Sequence, residues 1–291
     1  AIIGPSVKGP VNIPILVTSY SDYISKFGGA FDSGSTINEY LTSISAYNYF
    51  QQGGETLLVT RVVSGTFAPA YSTPILNSLA SSSFVIETLS AGNIMNSSGS
   101  ETTNGALVSG TQDNFRWEIP SVNTANGTFN LLIRQGSDNS TTKTVLETWP
   151  NLSLDPNSPN YISAVIGDQV STISGGYINT TGDYTNKSRY VRVKQVDSPT
   201  LNYFDNNGVA KSSYTASIPT VSSGTFGNAT GNLSSVYGLG SNDYTASINI
   251  LSNKDEYQFD VITTPGLTHS SHSVAVSLLT SVVQDRGDAI A

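Results

Sequence analysis

Few side chains in this sequence could do chemistry, and their spacing decides how far each can go. His269 and His272 are the two histidines of the chain. They stand three apart at the start of a helical stretch, a spacing that can begin a metal site on one helix face. No third ligand follows at a matching distance, so solvated histidines of a first helical turn are the reading. Asp255 and Glu256 could supply the acid and base of glycoside hydrolysis. Neighbours on a turn point apart, however, and that chemistry needs two carboxyls set across a substrate. The sequence contains no G-x-x-x-x-G-K-[ST] phosphate loop and no G-x-S-x-G elbow. No catalytic, cofactor-binding or metal-binding residue is assigned, and no enzyme activity is expected.

Three further patterns touch on recognition. Arg286-Gly287-Asp288 spells an adhesion tripeptide, although helix termination accounts for Gly287 and solvation for its charged flanks. Asn126-Gly-Thr, Asn151-Leu-Ser, Asn179-Thr-Thr and Asn228-Ala-Thr fit the glycosylation acceptor pattern. Such matches arise by chance in a chain this rich in Asn, Ser and Thr. Trp149, before Pro150, reads as a loop anchor rather than a platform for a sugar.

Bulk properties narrow the partners. The net charge is −8, which argues against binding to a phosphate backbone, since that needs clustered Lys and Arg. Charged residues make up 12%, about half the usual quarter, and Ser, Thr, Asn and Gly take their place. Short uncharged side chains lose little entropy when a neighbour covers them, which suits a protein packed against copies of itself. Zero cysteines exclude a disulfide framework and a thiolate metal site. The longest apolar run, Thr56 to Val63, is far short of the roughly 20 residues that span a bilayer. Ala1 opens directly into Ile2-Ile3-Gly4 with no basic region or cleavage site, so no signal peptide is read.

The elements that would position these residues change character along the chain. Val11, Ile13, Ile15 and Val17 alternate as a strand, with Pro14 marking an edge or bulge. Ser19 and Asp22 have capping-box spacing before Tyr20, Tyr23, Ile24 and Phe27, and Gly28-Gly29 stops that helix. Thr36 and Glu39 repeat the device, with Ile37, Tyr40, Leu41, Ile44 and Tyr47 as the apolar stripe of a longer helix ending at Gly53-Gly54. Thr56 to Val63, apolar except for Arg61, reads as a strand covered on both faces. From Ser64 on, short β-prone runs take over: Ser83 to Leu89, Phe115 to Ile119, Thr128 to Arg134, Lys143 to Trp149 and Tyr190 to Val196. Ala91 to Asn114 is a loop or boundary, and Pro150 to Pro159 a turn-rich connection. Tyr214 to Ile218 and Tyr244 to Ile248 share the letters Tyr-Thr-Ala-Ser-Ile, one coincidental match rather than a repeat. Near the end, Tyr257, Phe259 and Val261 alternate as a strand. Val274, Leu278 and Val282, with Ala275 and Leu279, form a helix closed by Gly287. Ala289-Ile290-Ala291 then begins the last strand of a right-handed crossover. Both ends read as lying inside strands of a longer polypeptide.

Several of these segments, in order, resemble the sheath proteins of contractile bacteriophage tails. The opening Ile2-Ile3-Gly4-Pro5-Ser6-Val7-Lys8-Gly9-Pro10 is similar to that family's first strand and Gly-Pro turn, and Ser19 to Gly28 to its short helix ending in Phe-Gly. Tyr47 to Gly54 followed by Leu57 to Val63 resembles its Gly-Gly helix end and Val-x-Arg-Val strand. Phe129 to Arg134 and Glu147 to Asp155 are similar to its Phe-x-Leu-x-Ile-Arg and Asn-Leu-Ser-x-Asp-Pro segments. Asn253 to Leu267 and Asp285 to Ala291 resemble its Asn-x-Asp-Glu-Tyr, Pro-Gly and Arg-Gly-Asp-Ala patterns. Phe67 to Asn114 matches nothing in the family, and the stretch Gly238-Leu-Gly240-Ser-Asn is thinner than its Gly-rich loop.

The resemblance implies a structural, non-enzymatic subunit of a virion tail, assembled in the host cytoplasm. It would polymerise around an inner tail tube, linked to neighbouring copies through terminal arms that add strands to their sheets. Its partners would be itself, the tube protein, and baseplate and neck proteins, with no nucleic acid and no membrane insertion. The expected fold is mixed α+β and α/β, multidomain. Residues 1–65 plus about 115–195 would form an α/β domain, 66–114 an inserted β-rich lobe, and 196–291 the start of a second α/β domain. The competing reading is a β-rich carbohydrate-binding adhesin or tail-fibre module, supported by the Ser/Thr/Asn texture, the two Trp and the many Tyr.

Overall fold

A computed structural model describes residues 1–33, 36–233 and 239–291. In chain order they form β1 (Ile2–Gly4), β2 (Ile15–Val17), α1 (Tyr20–Phe27), β3 (Ala30–Ser33), β4 (Thr36–Glu39), α2 (Leu41–Gln51) and β5 (Leu57–Arg61). There follow β6 (Pro69–Ser72), β7 (Ile75–Leu76), β8 (Ser82–Ala91), β9 (Phe115–Ile119), β10 (Val122–Asn123), β11 (Thr128–Gln135), β12 (Val145–Ser153) and α3 (Ile162–Ile166). The chain continues as β13 (Val170–Ser174), β14 (Tyr177–Thr181), β15 (Val191–Val196), α4 (Ser212–Thr215), β16 (Ser222–Gly227), α5 (Ser241–Ile250) and α6 (Ser273–Arg286). The fold is mixed α+β and multidomain: one compact unit comprises Ala1–Phe67, Ser171–Thr180 and Gly231–Ala291, the other Ala68–Val170 and Thr181–Thr230.

In the first unit β5 is the middle strand, parallel to β1 and antiparallel to β2. Alternation along β1 and β5 sends successive side chains to opposite faces. Ile2, Leu57 and Val59 join Val17, Tyr23, Phe27 and Ala46 under α1 and α2. Ile3 and Val62 join Tyr244, Ile248, Leu251, Ala275, Leu279 and Val282 of α5 and α6. The sheet is therefore covered on both faces, as the run of apolar residues in β5 requires. Gly4 is where α2 comes closest: a β-carbon there would lie 2.3 Å from Thr42 Oγ1, so only glycine fits.

Local chemistry explains α1. The Ser19 hydroxyl accepts the Asp22 amide at 3.1 Å, Lys26 pairs with Asp22 one turn on at 2.9 Å, and the chain stops at Gly28 with φ 74°. The same spacing at Thr36 and Glu39 does not start a helix. Those residues form β4, paired antiparallel with β3, and α2 begins only at Leu41 with no side-chain cap. Pairing with β3 gives the backbone of 36–39 its hydrogen-bond partners and overrides the local signal. The stripe expected on α2 also faces the other way. Thr42, Ser43 and Ala46 are buried, while Ile37, Leu41, Ile44 and Tyr47 are exposed and only Tyr40 of the expected stripe is buried.

Three more expectations shift. Of the alternating residues from Val11 to Val17, only Ile15–Val17 form strand. Val11 makes a single bridge to Arg61, and Asn12 breaks the run with φ 60°. Helix α6 buries Ala275, Leu279, Val282 and Arg286 and leaves Val274 exposed, a stripe rotated from the expected one. Its C′ residue Gly287 has φ 69°, as the sequence requires. The crossover around α6 exists as single parallel bridges, Ile2 to Thr263 and Val261 to Ile290.

The second unit is built on one antiparallel sheet in the order β10-β11-β9-β16-β6-β8-β15, with β12 also paired to β11 and β7 to β8. Helix α3 packs against both β12 and β15, so the strands at the two ends of the sheet meet the same cover. One core fills the interior, with Phe84, Ile86, Phe115, Trp117, Ile119, Phe129, Leu131, Ile133, Leu152, Ile162 and Phe226 among its members. These residues recur at every second position of β9 and β11, the pattern of strands with one buried face. At the entrance to this unit the Ala68 amide donates to the Thr230 carbonyl at 3.1 Å.

This corrects the expected domain boundaries. Residues 115–195 do not join 1–65. Their strands β9, β11, β12 and β15 hydrogen-bond into the sheet that also holds β6 and β8. The insertion is 68–230 (apart from the hairpin residues Ser171–Thr180) rather than 66–114. Residues 196–230 belong to it through β16, which pairs with both β6 and β9. The Ala91 to Asn114 loop is not a boundary but folds back on β9. The two Tyr-Thr-Ala-Ser-Ile copies differ in structure, the first ending the short α4 and the second lying inside α5. Of the thin Gly-rich stretch, Gly238 lies outside the described residues.

Candidate functional site

The histidines do not converge on a ligand. His269 is exposed. His272 is half-buried, with Nε2 3.1 Å from the Leu239 carbonyl and Nδ1 2.7 Å from Ser271 Oγ. The Nε2 contact ties the start of α6 to Leu239, two residues before α5, while the Nδ1 contact stays within the turn that leads into α6. Among the described residues no group of three His, Asp or Glu could hold a metal ion. His272 also borders a cavity of about 300 Å³ with Pro5, Leu41, Tyr244, Pro265 and Leu267. Asp255 and Glu256 sit in the exposed turn after α5. Glu256 accepts from Asn253 Nδ2 at 3.3 Å and from the Tyr257 hydroxyl at 3.1 Å, so its oxygens close the turn on itself. No carboxyl pair there faces a shared space.

The Arg-Gly-Asp tripeptide is a clamp. Arg286 Nη1 donates to the Leu251 carbonyl at 2.7 Å and Nη2 to the Tyr257 carbonyl at 2.8 Å. Nε and Nη2 also meet the two oxygens of Asp288, each at 2.9 Å. The guanidinium carbon lies 4.2 Å over the Phe259 ring, and the side chain is 1% exposed. A guanidinium in that position ties the end of α6 to the end of α5 and to the segment beside it. A receptor reading this tripeptide would need the arginine on the surface.

Arg61 is its counterpart. It is fully buried, donating to the Ser6 carbonyl at 3.2 Å, the Gly9 carbonyl at 2.7 Å and the Val7 carbonyl at 3.4 Å. Its guanidinium stands 5.2 Å over the Phe67 ring. Burial lowers its pKa to about 10, against the pull of Tyr40 and Tyr23. The one charged residue of β5 therefore holds the Gly-Pro turn that follows β1.

In the second unit the sequence reading missed a cluster of charges. Arg116 of β9 and Arg134 of β11 are cross-strand partners, and between them lies Asp138. Arg134 Nε reaches Asp138 Oδ2 at 2.8 Å and Arg116 Nη1 reaches Oδ1 at 3.4 Å, with the aspartate side chain 0% exposed. Glu118 joins through Arg134 at 2.7 Å and Lys143 at 2.8 Å. Burial pushes the Glu118 carboxyl up, but Lys143 and Arg134 hold its pKa below the usual value. Glu101 meets Arg116, and Arg116 Nη1 also donates to the Gly105 carbonyl at 2.9 Å. These contacts pin the Ser/Thr/Asn loop to the outside of β9. A signal existed in the alternation: Arg116, Glu118 and Arg134 all occupy positions facing away from the core.

Trp149 is an anchor in the sense expected, its indole N–H donating to Glu147 at 3.1 Å. Glu147 also accepts the Ser188 hydroxyl at 2.6 Å and the Arg189 amide at 2.8 Å, which joins β12 to the chain entering β15. The four acceptor asparagines 126, 151, 179 and 228 are exposed. Asn151 and Asn228 hold φ of 54° and 65°, a backbone state that asparagine tolerates better than most residues, so local conformation accounts for those two.

No helix among the described residues is long and apolar enough to cross a membrane. No family model matches the sequence, and no curated protein matches it. Among solved structures the chain is similar to a sheath tail protein from Listeria innocua, with a TM-score of 0.45 and 12% identity over 98% of this chain and 43% of that one. It is also similar to a sheath tail protein from Desulfitobacterium hafniense, with a TM-score of 0.41 and 11% identity over 99% of this chain and 48% of that one. The chain spans less than half the length of either.

Proposed function

We propose that this chain is a structural, non-enzymatic part of a contractile phage tail sheath subunit. One observation carries the reading. The sequence segments that resemble the sheath family at the two ends of the chain fall in the first unit, where they build its central sheet and both arginine clamps. The segment that resembles nothing in the family, Phe67 to Asn114, falls almost wholly in the second unit, beside the similar segments Phe129 to Arg134 and Glu147 to Asp155. A shared core that varies in one part of its second unit has this distribution.

In this reading many copies surround a tail tube in the virion, and a baseplate signal releases a cooperative repacking that drives the tube through the host envelope. The energy would lie in the difference between two packings of the same subunits, with no nucleotide consumed. Assembly takes place in the host cytoplasm, and the neck and baseplate proteins bound the array. Arg61 and Arg286 act here as positioning residues: Arg61 holds the turn after β1 and Arg286 ties α6 to α5 while surfaces slide. Electron microscopy of the purified protein tests this. Long hollow tubes are expected, and discrete trimers or monomers would favour the carbohydrate-binding reading instead.

A further inference from the structure

Helix α2 is built backwards for a helix of an isolated protein. Its buried face is Thr42, Ser43 and Ala46, small enough to lie on Gly4 of β1. Its apolar stripe points outward: Leu41 is 43% exposed, Ile44 39% and Tyr47 44%, with Ile37 on the adjoining hairpin at 73%. Leu41, Ile44 and Tyr47 stand at successive intervals of three, so they share one face of the helix. An apolar face exposed in this way marks an interaction surface.

The chemistry of the surface selects the partner. Residues 40–54 contain no Asp, Glu, Lys or Arg. A nucleic acid, an anionic membrane or an acidic partner would be met by Lys and Arg, and the stripe has neither. Its polar groups are the hydroxyls of Tyr and Ser and the amides of Asn48, Gln51 and Gln52, which donate and accept alike. Two copies of a chain with net charge −8 repel each other, and least where neither contributes a charge. With charged residues at 12% of the sequence, a neighbouring copy also offers wide uncharged surface to receive the stripe.

We infer that the outward face of α2, centred on Leu41, Ile44 and Tyr47, is a contact surface for a second copy of this chain. The inference rests on the assembling role proposed above and assigns that role a face. Sedimentation velocity of the full chain, wild type beside Ile44→Asp, measures it. The wild type is expected to associate and the variant to weaken association by roughly 100-fold, as loss of a central apolar anchor does, with an unchanged circular dichroism spectrum. Because the chain has no cysteine, Ile44→Cys and Leu79→Cys each carry a unique thiol, which keeps the test valid if the aspartate variant misfolds. Maleimide labelling at position 44 should slow by about tenfold or more on association, as burial in an interface core requires, while position 79 labels freely. Equal labelling at the two positions overturns the inference, as does association of a folded Ile44→Asp chain at wild-type strength or a wild type that stays monomeric at its highest soluble concentration. Electron micrographs of the same samples separate the two readings. Tubes with position 44 open would sink the face and leave the sheath. Discrete dimers with position 44 protected would do the reverse.

Discussion

Replacing Arg286 by methionine should loosen the packing of α6 far more than removing its ion-pair partner. The substitution keeps much of the apolar stem over Phe259 but removes the donors to the Leu251 and Tyr257 carbonyls. A hydrogen bond from a charged donor contributes about 1.5–3 kcal/mol, and the ring contact adds roughly 0.5–2 kcal/mol. Allowing for overlap, Arg286→Met costs about 3–5 kcal/mol. Asp288→Ala removes a carboxylate that is 43% exposed, and solvent-screened pairs of that kind contribute about 0.2–1 kcal/mol. Arg286→Lys should fall between them, since an ammonium cannot form the fork that reaches both carbonyls. The chain has two compact units, so a single melting curve would mix their transitions. Native-state hydrogen exchange of the α6 amides isolates the effect. Arg286→Met should speed their exchange by two to three orders of magnitude, given about 1.4 kcal/mol per tenfold, and Asp288→Ala by about fivefold or less. Equal acceleration by the two variants would refute the carbonyl clamp and return the role to the ion pair.

Three further outcomes follow from side chains already placed. Gly224→Ala puts a β-carbon 2.6 Å from the Trp117 ring across the β9–β16 pair and should destabilise the second unit by about 1–3 kcal/mol, read by urea unfolding with tryptophan fluorescence. Asp138→Ala leaves Arg116 and Arg134 buried without their shared carboxylate and should cost about 3–5 kcal/mol, with little relief from added salt, also read by urea unfolding. The Tyr244 phenol is raised to about 12, chiefly by burial and then by Asp243. A raised acid of this kind stabilises the fold fully below the unfolded value near 10, and that stability, about 2–3 kcal/mol, is lost as pH climbs through 12. Tyr244→Phe should therefore flatten the decline in stability between pH 10 and 12.

What could be read from the sequence was local. Ser19, Asp22 and Gly28 specify α1 by contacts within ten residues, and Gly287 ends α6 for the same reason. The strands Phe115 to Ile119 and Thr128 to Arg134 were legible because alternation is a property of the segment itself. Where a distant partner decides, the signal failed. Thr36 and Glu39 carry cap spacing, yet β3 captures them. The strands of 115–195 gave no hint that their neighbours were β6 and β8 rather than β1, since register partners leave no local trace. Helix α5 was hidden in a polar stretch: its start rests on the Gly240 amide donating to Asp243 at 2.8 Å, and its buried face mixes Tyr244, Ile248, Ile250 and Leu251 with the polar Ser247. At the candidate sites the histidines, the paired acids and the tripeptide were visible as letters. The roles of His272 and Arg286 were set by the carbonyls of Leu239, Leu251 and Tyr257, and carbonyls are the same at every residue.

The hydrogen bond between Ala68 and Thr230 has a mechanical consequence. It joins the first and last residues of the second unit, whose chain also crosses to the first unit around Ser171–Thr180. Tension that pulls those two residues apart meets that bond before it reaches the strands between them. The ends of the second unit are thus closed by local pairing, and changes in the length or sequence of its exposed loops need not disturb that closure.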